Sequence, residues 1–322
     1  TAANPVMGTP TAPRSSPSSK TSRLRQVRAD AMANLPGNAL SDGEAMYNAR
    51  ASTPGYAAIF ARWASDSAAY RTRALERGAA RLDIAYGRDE SERLDLFLPP
   101  GNPKGTLMYI HGGYWHSLDK SDASLVAPGF NKAGYAVAVV NYALCPAVAI
   151  EHIVSQVRAA AAWLYTNASE WKAPARSLYA CGHSAGGQLA AMLLATNWQR
   201  VHAALPSRTV EGGIGISGLY DLRPLLRVPS LMKVVSLSDE RAIKLSPALM
   251  QPSSSAAFLT AVGTQENAGF LEQAAIIRSA WPSSRSTQID CAGRNHFTIL
   301  DELTSESGSI FRAALQLMSP NT

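Results

Sequence analysis

From Thr106 to the C-terminus, short apolar runs alternate with amphipathic ones, and this alternation restricts the fold more than any other feature of the chain. The runs "TLMYI" (106–110), "GYAVAVVNY" (134–142), "SLYACG" (177–182), "VEGGIGISG" (210–218), "AAFLTAVG" (256–263) and "STQIDCAG" (286–293) have strand length. Several are apolar at consecutive positions, the pattern of strands covered on both faces in a parallel sheet. Between them, "IEHIVSQVRAAAAWLYTNAS" (150–169) sets Ile150, Val154, Val157, Ala161 and Leu164 on one helical stripe. Helices are also predicted within 186–197, 268–281 and 309–318. Strands alternating with helices imply right-handed crossovers and a mostly parallel sheet with helices on both faces, an α/β fold. Two shorter runs, "RLDIAYG" (81–87) and "ERLDLFLPP" (92–100), are joined by a polar turn and predict an antiparallel hairpin ahead of it.

Residues 31–78 read as helical. The segment 219–250, broken by Pro224, Pro229 and Pro247, fits no regular unit and is expected to form a small cap, and residues 31–63 together with 225–232 are expected to close over the reacting centre. Residues 31–322 are therefore expected to be one α/β domain. The thirty residues before it, rich in Ser, Pro, Thr and Ala, bury little apolar surface and read as a disordered leader. The net charge of +6 is concentrated there, because Arg14, Lys20, Arg23, Arg25 and Arg28 all precede the first acidic residue, Asp30. The body is near neutral and carries no nucleic-acid footprint. No apolar run approaches the roughly 20 residues of a membrane helix. Cys145, Cys181 and Cys291 are odd in number and widely spaced, which fits reduced thiols in a cytoplasmic protein. The Arg/Ser-rich leader, with no acidic residue before Asp30, leaves organelle targeting as the alternative. No His/Cys cluster has zinc-ligand spacing, and neither a metal nor a cofactor is expected.

The chemistry-bearing segment is "CGHSAGG" (181–187), where a predicted strand passes into a helix. It satisfies G-x-S-x-G, whose physical basis is a sharp turn that lifts the serine above the sheet edge. A serine hydroxyl attacks only when a base takes its proton, and in this arrangement an acid and then a histidine follow in the chain. His296, just past the last predicted strand, is the expected base; His202 closes the helical region behind the serine and has no evident role. Glu266, three residues past the strand ending at Gly263, is the preferred acid. Asp221 is its main rival, and Asp290, within the last strand, is weaker. "HGGYWH" (111–116) follows the strand where the second oxyanion donor is required, so Gly112, Gly113 and the N–H of Ala185 form the expected oxyanion hole. Tyr114 and Trp115 follow directly and are expected to wall the substrate pocket together with His111, Tyr142 and His183, His111 also bracing the loop.

"GIGISG" (213–218) is a literal G-x-G-x-x-G, but its glycines lie within a strand and no helix N-terminus follows, so close backbone packing is expected rather than dinucleotide binding.

In order, "HGGYW", "GHSAGG", "GLYDL", "VGTQE" and "NHF" resemble the kynurenine formamidase (arylformamidase) branch of the α/β-hydrolases, close to the hormone-sensitive-lipase-type esterases. The resemblance runs from about Ala79 to the C-terminus and excludes the leader. It implies an α/β-hydrolase fold and a serine hydrolase that cleaves small carboxylic esters or aryl amides and formamides through an acyl-enzyme. Whether such an enzyme is a strict arylformamidase or a general carboxylesterase stays open, and the rival class is a non-catalytic interaction protein on the same fold. The expected partner is a small-molecule ester or amide with a flat leaving group and an acyl chain of one to about four carbons, with no nucleic acid and no membrane. A homodimer is left open.

Overall fold

A computed structural model describes residues 1, 42–281 and 286–319. The expected leader, apart from Thr1, and the opening of the helical stretch read from Ala31 lie outside the described residues. The described residues from Asp42 onward form one compact unit.

The apolar runs become the strands β1 (Ala80–Ala85), β2 (Arg93–Phe97), β3 (Thr106–Ile110), β4 (Ala136–Val140), β5 (Leu178–His183), β6 (Gly212–Ile216), β7 (Ala257–Gly263) and β8 (Ser286–Cys291). They make one sheet in the order β1-β2-β4-β3-β5-β6-β7-β8. β1 pairs with β2, and β2 with β4, antiparallel; every pair from β4–β3 to β7–β8 is parallel. All residues of β3, β4, β5 and β6 are buried, which is why those runs show no alternation in the sequence. The edge strand β1 alternates half-buried and exposed positions, as a one-sided strand must.

The helices in chain order are α1 (Asp42–Tyr47), α2 (Ala49–Ser52), α3 (Tyr56–Glu76), α4 (Ala127–Lys132), α5 (Ile150–Thr166), α6 (Ala185–Leu194), α7 (Trp198–Val201), α8 (Pro229–Val235), α9 (Asp239–Lys244), α10 (Ala268–Ala280), α11 (Asp301–Thr304) and α12 (Ser309–Met318). The five residues of the α5 stripe named above are all buried. The stretch before α4 has no clear period because it is a short 3-10 turn, Lys120–Val126, started by a reciprocal cap between Asp119 and Asp122. The irregular segment 219–250 forms a 3-10 turn at Arg223–Arg227 followed by α8 and α9.

One polar feature lies inside the packing. Asp95 of β2 is fully buried and accepts from the Asp83 N–H (2.9 Å), from Lys120 Nζ (2.8 Å) and from the Arg71 guanidinium of α3. Removing one partner of such a cluster leaves an uncompensated buried charge, at a cost of about 3–5 kcal/mol. The cluster fastens α3 to the sheet, and nearer the other end of α3 Trp63 lies 6.2 Å from the ring of His183, the last residue of β5.

Candidate active site

Ser184 follows β5 directly and is the residue before α6. Its backbone is left-handed, φ 57° and ψ −120°. The turn is that tight because the flanking glycines permit it: a Cβ on Gly182 would lie 2.1 Å from the Gly186 carbonyl oxygen, and one on Gly186 would lie 2.0 Å from that of Ile110. Two loops farther along the sheet deliver the other side chains. After β7, the Glu266 N–H closes a turn onto the Gly263 carbonyl (3.1 Å) just before α10. After β8, the Asn295 side chain accepts from the N–H groups of Phe297 (3.0 Å) and Thr298 (2.9 Å), an Asx turn that holds His296. The loops are pinned together by the Gln265 N–H donating to the Arg294 carbonyl (3.0 Å).

The result is a continuous chain of hydrogen bonds. Ser184 Oγ lies 3.0 Å from His296 Nε2, and His296 Nδ1–H donates to Glu266 Oε2 at 2.6 Å. All three residues are buried. The other carboxylate oxygen, Oε1, accepts from the Gly263 N–H (2.7 Å) and the Ser217 hydroxyl (2.6 Å). His183 Nε2–H donates to the His296 carbonyl at 2.7 Å, and the Phe270 ring lies 4.0 Å from the His296 ring. Burial, and then the neighbouring His296, push the His183 pKa down to about 3, so its ring is neutral and can serve as that donor.

The rival acids are occupied elsewhere. Asp221 holds Arg223 through both oxygens, at 2.9 and 2.5 Å. Asp290 is exposed and accepts from Gln288. His202 is exposed as well.

The expected oxyanion residues lie beside the serine. A Cβ on Gly112 would be 3.2 Å from Ser184 Cβ, and Gly113, with φ +97°, lines the cavity. Among the described residues none accepts from the N–H groups of Gly113 or Ala185, the condition a donor for a transient oxyanion must meet. His111 and Tyr142 brace this loop from beneath. Their rings stack at 4.3 Å, His111 Nδ1–H donates to the Gly112 carbonyl (2.9 Å), and the Tyr142 hydroxyl donates to the His111 carbonyl (2.8 Å).

The pocket expectation needs correction. A cavity of about 270 Å³ opens over Ser184, and Tyr114 and His183 line it; Trp115, His111 and Tyr142 do not. Trp115 is fully buried, its indole N–H donating to Gln188 Oε1 of α6 (3.2 Å). The physical reason is local backbone. Tyr114, Trp115 and Leu118 all have positive φ, so neighbours in sequence are turned to different sides of the loop.

The remaining walls come mainly from within 31–63 and 225–232, the stretches expected to close over the site, and from Phe297 of the NHF motif. Phe60 and Trp63 of α3 stack at 5.0 Å, and Phe297 meets Phe60 edge-on at 5.1 Å. Leu231 of α8 faces them across the cavity, and Glu44, Arg50 and His116 make a polar rim. Arg50 donates to Ser117 Oγ (3.2 Å) and lies 5.5 Å above the Phe60 ring. The Ser230 side chain, and then the Ser230 N–H that donates to Glu44 (2.9 Å), hold the Glu44 carboxyl below the usual range. The spacing Tyr56, Phe60, Trp63 is an i, i+4, i+7 aromatic stripe and was the available sequence signal for this wall. "GIGISG" packs as expected: Cβ atoms on Gly215 and Gly218 would lie 2.3 and 2.4 Å from the Tyr220 hydroxyl, and one on Gly187 of α6 would lie 3.0 Å from Gly218 Cα. The three cysteines are free and buried.

An eight-stranded, mostly parallel sheet with a serine on the strand-to-helix turn after β5 and a histidine after β8 defines the protein as an α/β-hydrolase. The BD-FAE family model matches residues 94–233. A kynurenine formamidase of Danio rerio is 30% identical over 246 residues, covering 74% of this chain and 81% of the relative. The Salmo salar kynurenine formamidase is 30% identical over 254 residues, covering 75% and 84%. A crystal structure of a candidate thioesterase from Silicibacter sp. tm1040 superposes with a TM-score of 0.74 at 33% identity, covering 83% of this chain and 96% of that one. The chain belongs to the kynurenine formamidase family.

Proposed function

We propose that the protein is a serine hydrolase of small aryl formamides and aryl esters, working through an acyl-enzyme formed on Ser184. The observation that carries this reading is the buried hydrogen-bonded chain Ser184–His296–Glu266 on the floor of an aromatic-walled cavity. His296 Nε2 takes the Ser184 proton as Oγ bonds to the substrate carbonyl carbon. The oxyanion that forms is received by the N–H groups of Gly112, Gly113 and Ala185; each such donor is worth about 2.7–4 kcal/mol. His296 then gives its proton to the leaving amine or alcohol, and the C–N or C–O bond breaks. A water molecule repeats the sequence on the acyl-enzyme, releasing the acid and restoring Ser184. Glu266 stays ionised throughout, orienting the imidazole and stabilising the imidazolium.

The cavity supports compact substrates. It is at or below the usual lower limit for drug-sized ligands, roughly 300 Å³, and its Phe60, Trp63 and Phe297 rings suit a flat leaving group. Formamide cleavage is supported by the names of the fish relatives, and thioester cleavage enters the test because of the Silicibacter protein's description.

The test is labelling by a serine-directed fluorophosphonate, followed by turnover of formyl anilides, p-nitrophenyl esters from acetate to decanoate and an acyl thioester. Ser184→Ala is expected to abolish labelling and to lower kcat by about 10⁶-fold. Labelling that survives in that variant, or a rate maximum at the longest acyl chain, refutes the corresponding half of the proposal.

A further inference from the structure

The G-x-G-x-x-G segment contains one residue that packing does not explain. Ser217 lies between Ile216, the last residue of β6, and Gly218. Its φ is 51°, so two adjacent parallel strands, β5 and β6, each lead into a serine with left-handed backbone: Ser184 on one and Ser217 on the next. Serine resists that conformation and glycine does not. Glycines stand at 215 and 218, yet position 217 holds a serine.

The side chain accounts for it. Ser217 is buried, its N–H donates to the Ala261 carbonyl of β7 (2.7 Å), and its hydroxyl donates to Glu266 Oε1 (2.6 Å). The Gly263 N–H donates to the same oxygen (2.7 Å). With two donors fixed on Oε1, the carboxylate cannot rotate about its terminal bond, and Oε2 remains in line with His296 Nδ1–H. The left-handed turn at Ser217 is what carries the hydroxyl from the end of β6 across to the loop after β7.

We infer that Ser217 is a positioning residue for the triad carboxylate, acting on the reaction only through Glu266. This rests on the reading of Glu266 as the acid given above. A charge-assisted hydrogen bond of this kind corresponds to about a tenfold effect when its donor is removed.

The test is a double-mutant cycle read with p-nitrophenyl acetate. Ser217→Ala removes the hydroxyl and keeps the backbone; Ser217→Gly removes the hydroxyl and relieves the left-handed conformation. Each is expected to lower kcat about tenfold with KM changed less than twofold, although Ser217→Gly melts no lower than the parent. That second variant keeps the test decisive should the alanine variant fold poorly. In the Glu266→Gln background, adding Ser217→Ala is expected to change kcat less than twofold, because the group through which it acts is already disabled. A full tenfold loss in that background assigns Ser217 a role independent of the carboxylate and overturns the inference, as does an unchanged kcat in both single variants. If Glu266→Gln itself is mild, the triad assignment fails and the inference falls with it, an outcome distinct from failure of Ser217 alone.

Discussion

At the carboxyl ends of β5–β8 the site is held by main chain. Ser184 N–H donates to the Ile216 carbonyl of β6, Ser217 N–H to the Ala261 carbonyl of β7, and Thr264 N–H to the Cys291 carbonyl of β8, so each loop is tied to the next strand. Across the cavity, the cover of α1, α2, α3 and α8 is tied differently. Arg50 reaches Ser117, Glu44 accepts from Ser230, and Ser52 donates to Asn267 (2.6 Å), all through exposed or half-buried side chains. The lower side is a rigid lattice that presents one reaction geometry; the upper side is side-chain packing that can change without disturbing it. Under the proposed function this comparison assigns the chemistry to the sheet edge and the selectivity to the cover.

The largest effect expected to bear on that division is at the acid. Glu266→Gln is expected to lower kcat by about 10⁴-fold, as loss of the orienting carboxylate does in a comparable triad, with KM nearly unchanged. Asp221→Asn, which disturbs only the pair with Arg223 beneath the cover, is expected to keep kcat within about threefold of the parent and to lower the melting temperature. Stopped-assay kinetics on both variants check this. A crippling Asp221→Asn with a mild Glu266→Gln breaks the assignment.

The cover is expected to respond in KM. Phe60 stacks on Trp63 and meets Phe297 edge-on, and an aromatic pairing contributes about 0.5–1.5 kcal/mol. Phe60→Leu should therefore raise KM for a phenyl ester about three- to tenfold, leave kcat within twofold, and change little for an ethyl ester of the same acid. Equal losses for the two esters, or a fall in kcat matching the rise in KM, would place the cover inside the chemistry.

The two sides also differ in how far they can be read from the sequence. The sheet is legible because buried parallel strands are unbroken apolar runs, and Ser184, Glu266 and His296 stand after strands where the mechanics of the fold direct the search for a triad, the role proposed for them above. Trp115 was misread because three left-handed residues in the loop 114–118 send adjacent side chains to different sides, and residue spacing carries no record of such turns. Ser217 was hidden among glycines whose own role is to make room for Tyr220. The aromatic stripe of α3 has helical spacing, but an exposed amphipathic helix and a cavity wall share that spacing. The Asp95 cluster, the Ser67 hydroxyl accepting from the Leu125 N–H (3.0 Å) and Tyr70 donating to Asn131 together hold α3 with that stripe toward the cavity.

The smallest expected effect separates the two sides by pH. His183 has its folded pKa depressed to about 3 from the ordinary histidine value of 6.5. The unfolded chain therefore binds a proton there that the native state refuses. The stability this contributes is complete above pH 6.5 and is lost as pH falls toward 3, which amounts to about 2 kcal/mol by pH 5. His111, also beneath the sheet edge, is lowered by burial and adds in the same direction. In the cover, His116 is lowered by burial and by Arg50, but it is only half-buried and solvent weakens its contribution. Glu44 is depressed from 4.5, so what it contributes is present above that value and is lost only at lower pH. Between pH 7.5 and 5 the loss of stability should thus come mainly from the sheet edge. His183→Gln keeps a donor for the His296 carbonyl without a titrating ring. Thermal melts should show the parent losing several degrees across that interval, and His183→Gln, though lower at pH 7.5, losing measurably less. Parallel curves would mean that the acid sensitivity resides in the cover, and the contrast between a rigid edge and an adaptable roof would have to be drawn elsewhere.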